Sequence, residues 1–314
     1  MEYFLLILYP IIGCFGLLLL RFLLVRFVFT PIGLWFGLRN CPTKKPPENL
    51  VLEREFSLTK KWDQRQIVAL SKQLDISEES IKDWLRLKLA HNKTSVLTKF
   101  SESSWKLCYY TCETLFGFVV LCQKPWFWDS DEWWRDLANQ TVTKDVWLYF
   151  ILCTSCAWSQ LIAVTIDVRR KDFLLMVAHH LAFISLMTLC GGSNIFRGVT
   201  VAAFLANSND VFLELSKVAH YLGYAKIAVY GFLMFTVWWL IVRLAFVPFR
   251  LIKTFVVDAP RFVPGLDTLF VYYAVNTLNV IFFMINLVWT YFIIKAAIAI
   301  FIIGKPNDSR SDSD

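Results

Sequence analysis

Seven apolar runs, about 3–25, 106–122, 145–166, 173–190, 198–216, 227–247 and 268–303, dominate this chain. About 20 such residues cross the hydrocarbon of a bilayer as an α-helix. Lipid offers no partner to unpaired peptide groups, so runs of this kind must satisfy their backbone internally, as helices. Hydrophobic residues make up 57% of the chain and charged ones only 18%, a balance that suits spanning segments rather than a water-soluble core. The expectation is an all-α polytopic membrane protein with about seven transmembrane helices, the last read as one long tilted helix.

Charge sets the orientation. The net charge of +7 does not call for nucleic acid, because Lys and Arg are dispersed beside the apolar runs, where they set topology. The first run has Arg21 and Arg26 at its end and only Glu2 before it, the reverse of a signal peptide, and reads as a retained anchor with its N-terminus luminal. The basic stretch 39–105 and the turn Asp167-Val168-Arg169-Arg170-Lys171-Asp172 then face the cytosol, as does the C-terminus. The loop 248–267, with Arg250, Lys253 and Arg261, falls on the luminal side against the trend. The sequon Asn139-Gln140-Thr141 is luminal and open to glycosylation, whereas those at Asn92 and Asn307 are cytosolic. Eight scattered cysteines without CxxC or Cys/His metal spacing read as reduced structural thiols.

Four regions follow: an anchor over 1–38, a small cytosolic module over 50–100, a spanning domain over 106–304 and a polar tail over 305–314. In the module Trp62, Ile67, Leu70, Leu74, Ile76, Ile81 and Trp84 predict three short helices, with Ser77 as an N-cap and Glu78 and Glu79 in the first turn that follows. Ile81 to Lys88 resembles the recognition helix of a homeodomain, but Leu87 stands where that family reads adenine with Asn, so DNA binding is not expected. The tail presents Ser309, Ser311 and Ser313 beside acidic residues, as candidate phosphorylation sites.

Polar residues inside the apolar runs are the functional candidates, since an ionisable group at membrane depth must face protein or a wet cavity. His179 and His180 sit within 173–190; Asn207, Asp210, Glu214 and Lys217 recur at spacings of 3, 4 and 3 within and just beyond 198–216, on one helix face. At 1.5 Å per residue His179 and Asp210 each lie roughly 9 Å from the cytosolic side. A short connection makes the two helices antiparallel neighbours, so an imidazole and a carboxylate can meet in one cavity. Such a pair removes a proton from an amine or hydroxyl, or lets the imidazole take an acyl group. The competing readings are a buried pair that joins two helices, or a metal ligand, against which adjacent histidines diverging by about 100° argue. No metal is expected.

Asp167 to Phe173, His179-His180, Ser193-Asn194-Ile195-Phe196-Arg197, Asp210-Val211-Phe212-Leu213-Glu214 and Lys217 together resemble, without gaps, the Lag motif of ceramide synthases, which carry a TLC-type domain. The resemblance extends to the homeodomain-like module, to Lys99-Phe100-Ser101-Glu102-Ser103-Ser104-Trp105, to the Asn139 sequon and to the acidic serine tail. It implies a multi-pass endoplasmic-reticulum enzyme that joins a fatty acyl group from acyl-CoA, a co-substrate rather than a cofactor, to the amine of a sphingoid base. The acyl chain would lie among the spans, His179 and His180 would be catalytic with Asp210 and Asn207, and Arg197 and Glu214 would contact substrate. Membrane lipids and a homo- or hetero-dimer with relatives are the further partners it suggests.

One departure matters. The family motif carries a His-Asp pair where this chain has Ala206 and Asn207. Asn207 can hydrogen-bond an imidazole but brings no charge, which leaves Asp210 as the carboxylate. An inactive homologue that regulates ceramide synthesis, and a lipid transporter, are the alternatives.

Overall fold

The computed structural model describes residues 3–39, 45–59, 62–92, 94–167 and 172–303, and among them there are helices and turns but no strand. The basic residues Arg169, Arg170 and Lys171, the sequon at Asn307, and Ser309, Ser311 and Ser313 lie outside the described residues. The chain opens with α1 (Tyr3–Leu24), which runs through a π-type turn, Val25–Phe29, into α2 (Thr30–Trp35). Three short helices follow, α3 (Leu50–Leu58), α4 (Gln64–Leu74) and α5 (Glu78–Asn92), as the spacing predicts. Then come α6 (Val96–Leu121), the single turn α7 (Pro125–Trp128), α8 (Lys144–Ile166), α9 (Phe173–Gly192) and α10 (Phe196–Tyr221). The chain continues with α11 (Ala225–Trp239), wider π-type segments over Leu240–Ile252 and Thr254–Asp258, the short α12 (Ala259–Phe262) and the long α13 (Phe270–Ile303).

The three short helices pack on their own core of Leu52, Phe56, Ile67, Leu70, Ile81 and Trp84. Each such side chain contributes about 1.5–3 kcal/mol when fully buried. Asn49 caps α3, and Asp63 and Gln66 form a reciprocal capping box on α4. The Ser77 hydroxyl accepts from Ser80 N at 3.2 Å, as its place before Glu78 and Glu79 predicts. Trp62 stacks on Trp84 at 6.0 Å, and the Trp84 indole donates to the Pro47 carbonyl at 2.7 Å.

Among the described residues five helices are long and apolar enough to cross a membrane: Phe4–Trp35, Lys144–Ile166, Phe173–Gly192, Ala225–Phe262 and Phe270–Ile300. The runs expected at 106–122 and 198–216 lie within α6 and α10, each 26 residues long and so about 39 Å from end to end. They are less apolar because Lys106 and Glu113 interrupt the first, and Asn207, Asn209, Asp210 and Glu214 the second. These two helices pack against each other, so polar faces that lipid would reject meet inside the protein. Around them α10 packs on α11, α1 on α8, α8 on α9 and α9 on α13. Small residues allow the closest approaches. A Cβ on Gly231 would come within 3.3 Å of the Ser216 backbone, and the Ser216 hydroxyl donates to the Ala228 carbonyl at 2.7 Å, tying α10 to α11.

The sixth span departs from expectation. Residues 248–262 continue it as helix instead of forming a loop, and the turn shrinks to 263–269. Arg243, Val247, Leu251, Phe255 and Ala259 recur every fourth residue and all are buried. On an α-helix that spacing drifts by about 40° per step, and the wider π-type turns counter that drift. Wider turns also accommodate Pro248, which would clash with the carbonyl four residues back in a regular helix.

Candidate active site

Helices α6, α8, α9, α10, α11 and α13 enclose a cavity of ≈ 1020 Å³, counting its open mouth. His179 and His180 from α9 line it together with Asn207, Asp210, Glu214 and Lys217 from α10. The structure thus brings the histidine pair and the α10 stripe into one space, although α10 packs chiefly on α6 and α11 and only lightly on α9. From α6 come Lys106 and Tyr110, and Glu113 lies one turn further along. This second stripe, at spacings of 4 and 3, faces the first.

Each histidine is held by packing more than by hydrogen bonds. The His179 ring stacks on Phe282 at 4.5 Å, lies against Trp289 at 4.9 Å and meets His180 at 5.4 Å. Its Nδ1 is buried with no partner among the described residues, and His180 is 9% exposed. No hydrogen bond joins either imidazole to Asp210 or Asn207 among the described residues. Asn207 instead turns to α6, where its Nδ2 donates to Glu113 Oε1 at 3.2 Å. Trp289 is fixed by donation to Asp172 Oδ2 at 3.2 Å, and Trp239 by donation to Thr290 Oγ1 at 2.9 Å.

A second cavity, ≈ 630 Å³, adjoins the first and is almost wholly apolar, with Leu186, Met187, Val247, Leu251 and Phe255 in its walls. Phe183, Ala206, Arg243 and Phe282 line both and mark the junction. Arg243 is 4% exposed. Its guanidinium lies 5.3 Å from the Trp239 ring and 5.5 Å from the Phe282 ring, Nη2 donates to the Ala206 carbonyl at 3.4 Å, and Nε and Nη1 have no partner among the described residues. A buried cation with unused donors, between a polar and an apolar chamber, is suited to an amphiphile with an electron-rich group at its polar–apolar boundary.

The remaining expected residues lie elsewhere. Arg197 starts α10 at the end away from the histidines, and its Nη1 donates to the Glu132 carbonyl at 2.6 Å. The structure gives it an anchoring contact and no place in either cavity. Asn139 is exposed, with Nδ2 donating to Asp136 at 2.8 Å. At the polar end of the cavity Lys217 pairs with Glu214 at 2.7 Å, and Asp167 at the end of α8 pairs with Arg21 and, at 3.4 Å, with Lys106. Sequence reasoning passed over Arg243, Lys106, Tyr110 and Glu113. The last three were visible as a polar stripe at helical spacing within an otherwise apolar run, the pattern that revealed α10.

Fold and site together define a polytopic helical membrane protein built around a cavity lined by ionisable residues that adjoins an apolar one. Residues 99–295 match the TRAM/LAG1/CLN8 family, described as the TLC domain. The chain is 32% identical to ceramide synthase 3 of Mus musculus over 301 residues, covering 96% of this chain and 78% of that one. It is 30% identical to ceramide synthase 5 of Homo sapiens over 299 residues, 95% and 76% of the two chains. A match to the ceramide synthase hyl-1 of Caenorhabditis elegans is 30% identical over 224 residues, 68% of this chain and 61% of that one. The chain belongs to the ceramide synthase family of TLC-domain proteins.

Proposed function

We propose that the chain is a sphingoid-base N-acyltransferase that takes a fatty acyl group from acyl-CoA. The observation that carries this reading is the pair of adjoining cavities, one holding His179 and His180 with the polar residues of α6 and α10, the other apolar and beyond Arg243. An acyl chain in the apolar chamber sets its thioester carbonyl at the junction, within reach of the Arg243 guanidinium. A fixed cation there stabilises the oxyanion that forms as the carbonyl is attacked. One imidazole of the pair either takes the acyl group from the thioester, releasing the CoA thiolate, and yields it to the amine, or accepts the proton that the amine loses as the amide forms and the CoA thiolate leaves. Asp210 lines the same cavity and is the carboxylate available to that step.

Lys106 and Lys217 at the polar end suit the phosphates of CoA, and Glu214 faces the same opening. The proposed setting is the endoplasmic-reticulum membrane, with α6 and α10 completing seven crossings, a luminal N-terminus and a cytosolic C-terminus. Asn139 on its exposed turn is the proposed glycan acceptor.

Purified protein in liposomes, given acyl-CoA and sphinganine, is expected to make the amide, and His179→Ala, His180→Ala and Asp210→Ala to abolish it. Intact mass after acyl-CoA alone separates the two roles of the imidazole, because only acyl transfer to the ring leaves the protein heavier. Ala206 and Asn207 favour a second reading, a regulatory homologue without turnover. That reading wins if the wild-type chain makes no product while Ala206→His plus Asn207→Asp confers activity.

A further inference from the structure

Glu113 is 1% exposed in the middle of α6 and no step above uses it. A carboxyl group at such depth is costly unless its oxygens are bonded. Its Oε1 accepts three donors: Tyr149 Oη at 2.8 Å, Cys153 Sγ at 3.1 Å and Asn207 Nδ2 at 3.2 Å. Tyr149 and Cys153 project from α8 and are themselves almost fully buried, so Oε1 is held from α8 and accepts from α10 at the same time, while Oε2 is buried with no partner among the described residues.

An asparagine amide has one acceptor oxygen and one donor nitrogen, and alone it is indifferent to a flip. Beside a carboxylate it is not, because the flipped amide would set two acceptor oxygens against each other. Glu113 therefore takes the Nδ2 side and leaves Oδ1 for the cavity that Asn207 lines. One turn along the same face stands Asp210, a second acceptor.

We propose that Glu113 is a positioning residue that holds the Asn207 carbonyl oxygen toward the cavity, where it accepts a hydrogen bond from the amine or hydroxyl of a long-chain amino alcohol. The proposal deepens, and rests on, the N-acyltransferase reading: it assigns the amine substrate to the α6–α10 side and the acyl chain to the chamber beyond Arg243. The carboxylate that Asn207 lacks is supplied across the helix interface.

The test uses the full chain in liposomes. Glu113→Gln keeps the shape but offers both donor and acceptor, so the amide of Asn207 is no longer oriented. The KM for sphinganine is expected to rise about tenfold, the effect of losing one hydrogen bond to a charged or strongly polar group, while the KM for acyl-CoA stays within about twofold. Glu113→Gln with Asn207→Asp lets the introduced amide on α6 donate to the introduced carboxylate on α10 and leaves an oxygen for the cavity, so the sphinganine KM returns toward wild type. A Glu113 that only packs predicts no such recovery. An unchanged sphinganine KM in E113Q, or a double variant no better than the single one, overturns the proposal. Should E113Q not fold, Asn207→Ala must still raise the sphinganine KM selectively, and the proposal falls if it does not. Where the wild-type chain forms no amide, binding of tritiated sphinganine decides. Weaker binding in E113Q retains the proposal and removes the acyltransferase; equal binding, or none to the wild type, removes the proposal as well.

Discussion

Replacing Arg243 with Met separates stability from catalysis in opposite directions. An arginine at the centre of a spanning helix costs about 3 kcal/mol on insertion scales. The structure offsets this with two ring faces, Trp239 and Phe282, at about 1 kcal/mol each. The 3.4 Å bond to the Ala206 carbonyl adds about 0.5 kcal/mol at most. A shortfall of about 0.5 kcal/mol remains, before any charge for the unpartnered Nε and Nη1. Arg243→Met keeps the stem and removes the charge, so thermal unfolding in detergent is expected to show equal or slightly higher stability, within about 1 kcal/mol. Acyl transfer should fall by about 10²–10³, the loss typical of removing one oxyanion donor. Arg243→Lys keeps a charge but not the planar fork and should remain well below wild type. A variant that unfolds much earlier yet turns over normally would show that the guanidinium is a structural strut, and the oxyanion role would be refuted.

Two further outcomes follow from the packing. A Cβ on Gly117 would sit 2.7 Å from Tyr149 Cζ and 2.8 Å from its Oη, and fully buried Tyr149 has no room to move. Gly117→Ala should thus cost about 1–3 kcal/mol of stability, read by thermal unfolding, and an unchanged melting temperature would contradict the packing. Leu251 lines the apolar chamber; Leu251→Trp shortens the space, and competition among acyl-CoAs of different length should shift product toward shorter chains. An unchanged product distribution would move the acyl chain out of that chamber.

The parts of the site legible in the sequence were those whose polarity broke a clean apolar pattern. His179, His180, Asp210 and Glu214 stood out because lipid cannot host them, and helix rise alone brought the histidines level with Asp210. Glu113 and Lys106 obeyed the same rule, but they lay in a run already assigned to lipid, where their spacing with Tyr110 escaped notice. Arg243 was hidden for another reason: near the expected end of a span it passes for a residue that reaches the interface, and only the continued helix shows that it is deep. Arg197 shows the converse case. Its place in a motif suggested substrate, whereas its donation to the Glu132 carbonyl is a tertiary contact that no spacing reveals. Ala206 and Asn207, legible as departures, acquired a meaning only when Asn207 was found against Glu113.

The buried stripe at every fourth residue of the widened helix Ala225–Phe262 also fixes the length of the chain there. Loops absorb insertions and deletions with little harm, so residues 248–262 read as a loop would be free to vary in number. As helix they are not. Removing one residue between Arg243 and Phe255 would rotate everything beyond it by about 100° on a regular helix and somewhat less on a wider one, turning Leu251 and Phe255 out of the apolar chamber. Point substitutions of similar size should be tolerated where a single deletion is not, so the register of this segment, more than its composition, is what drift cannot alter.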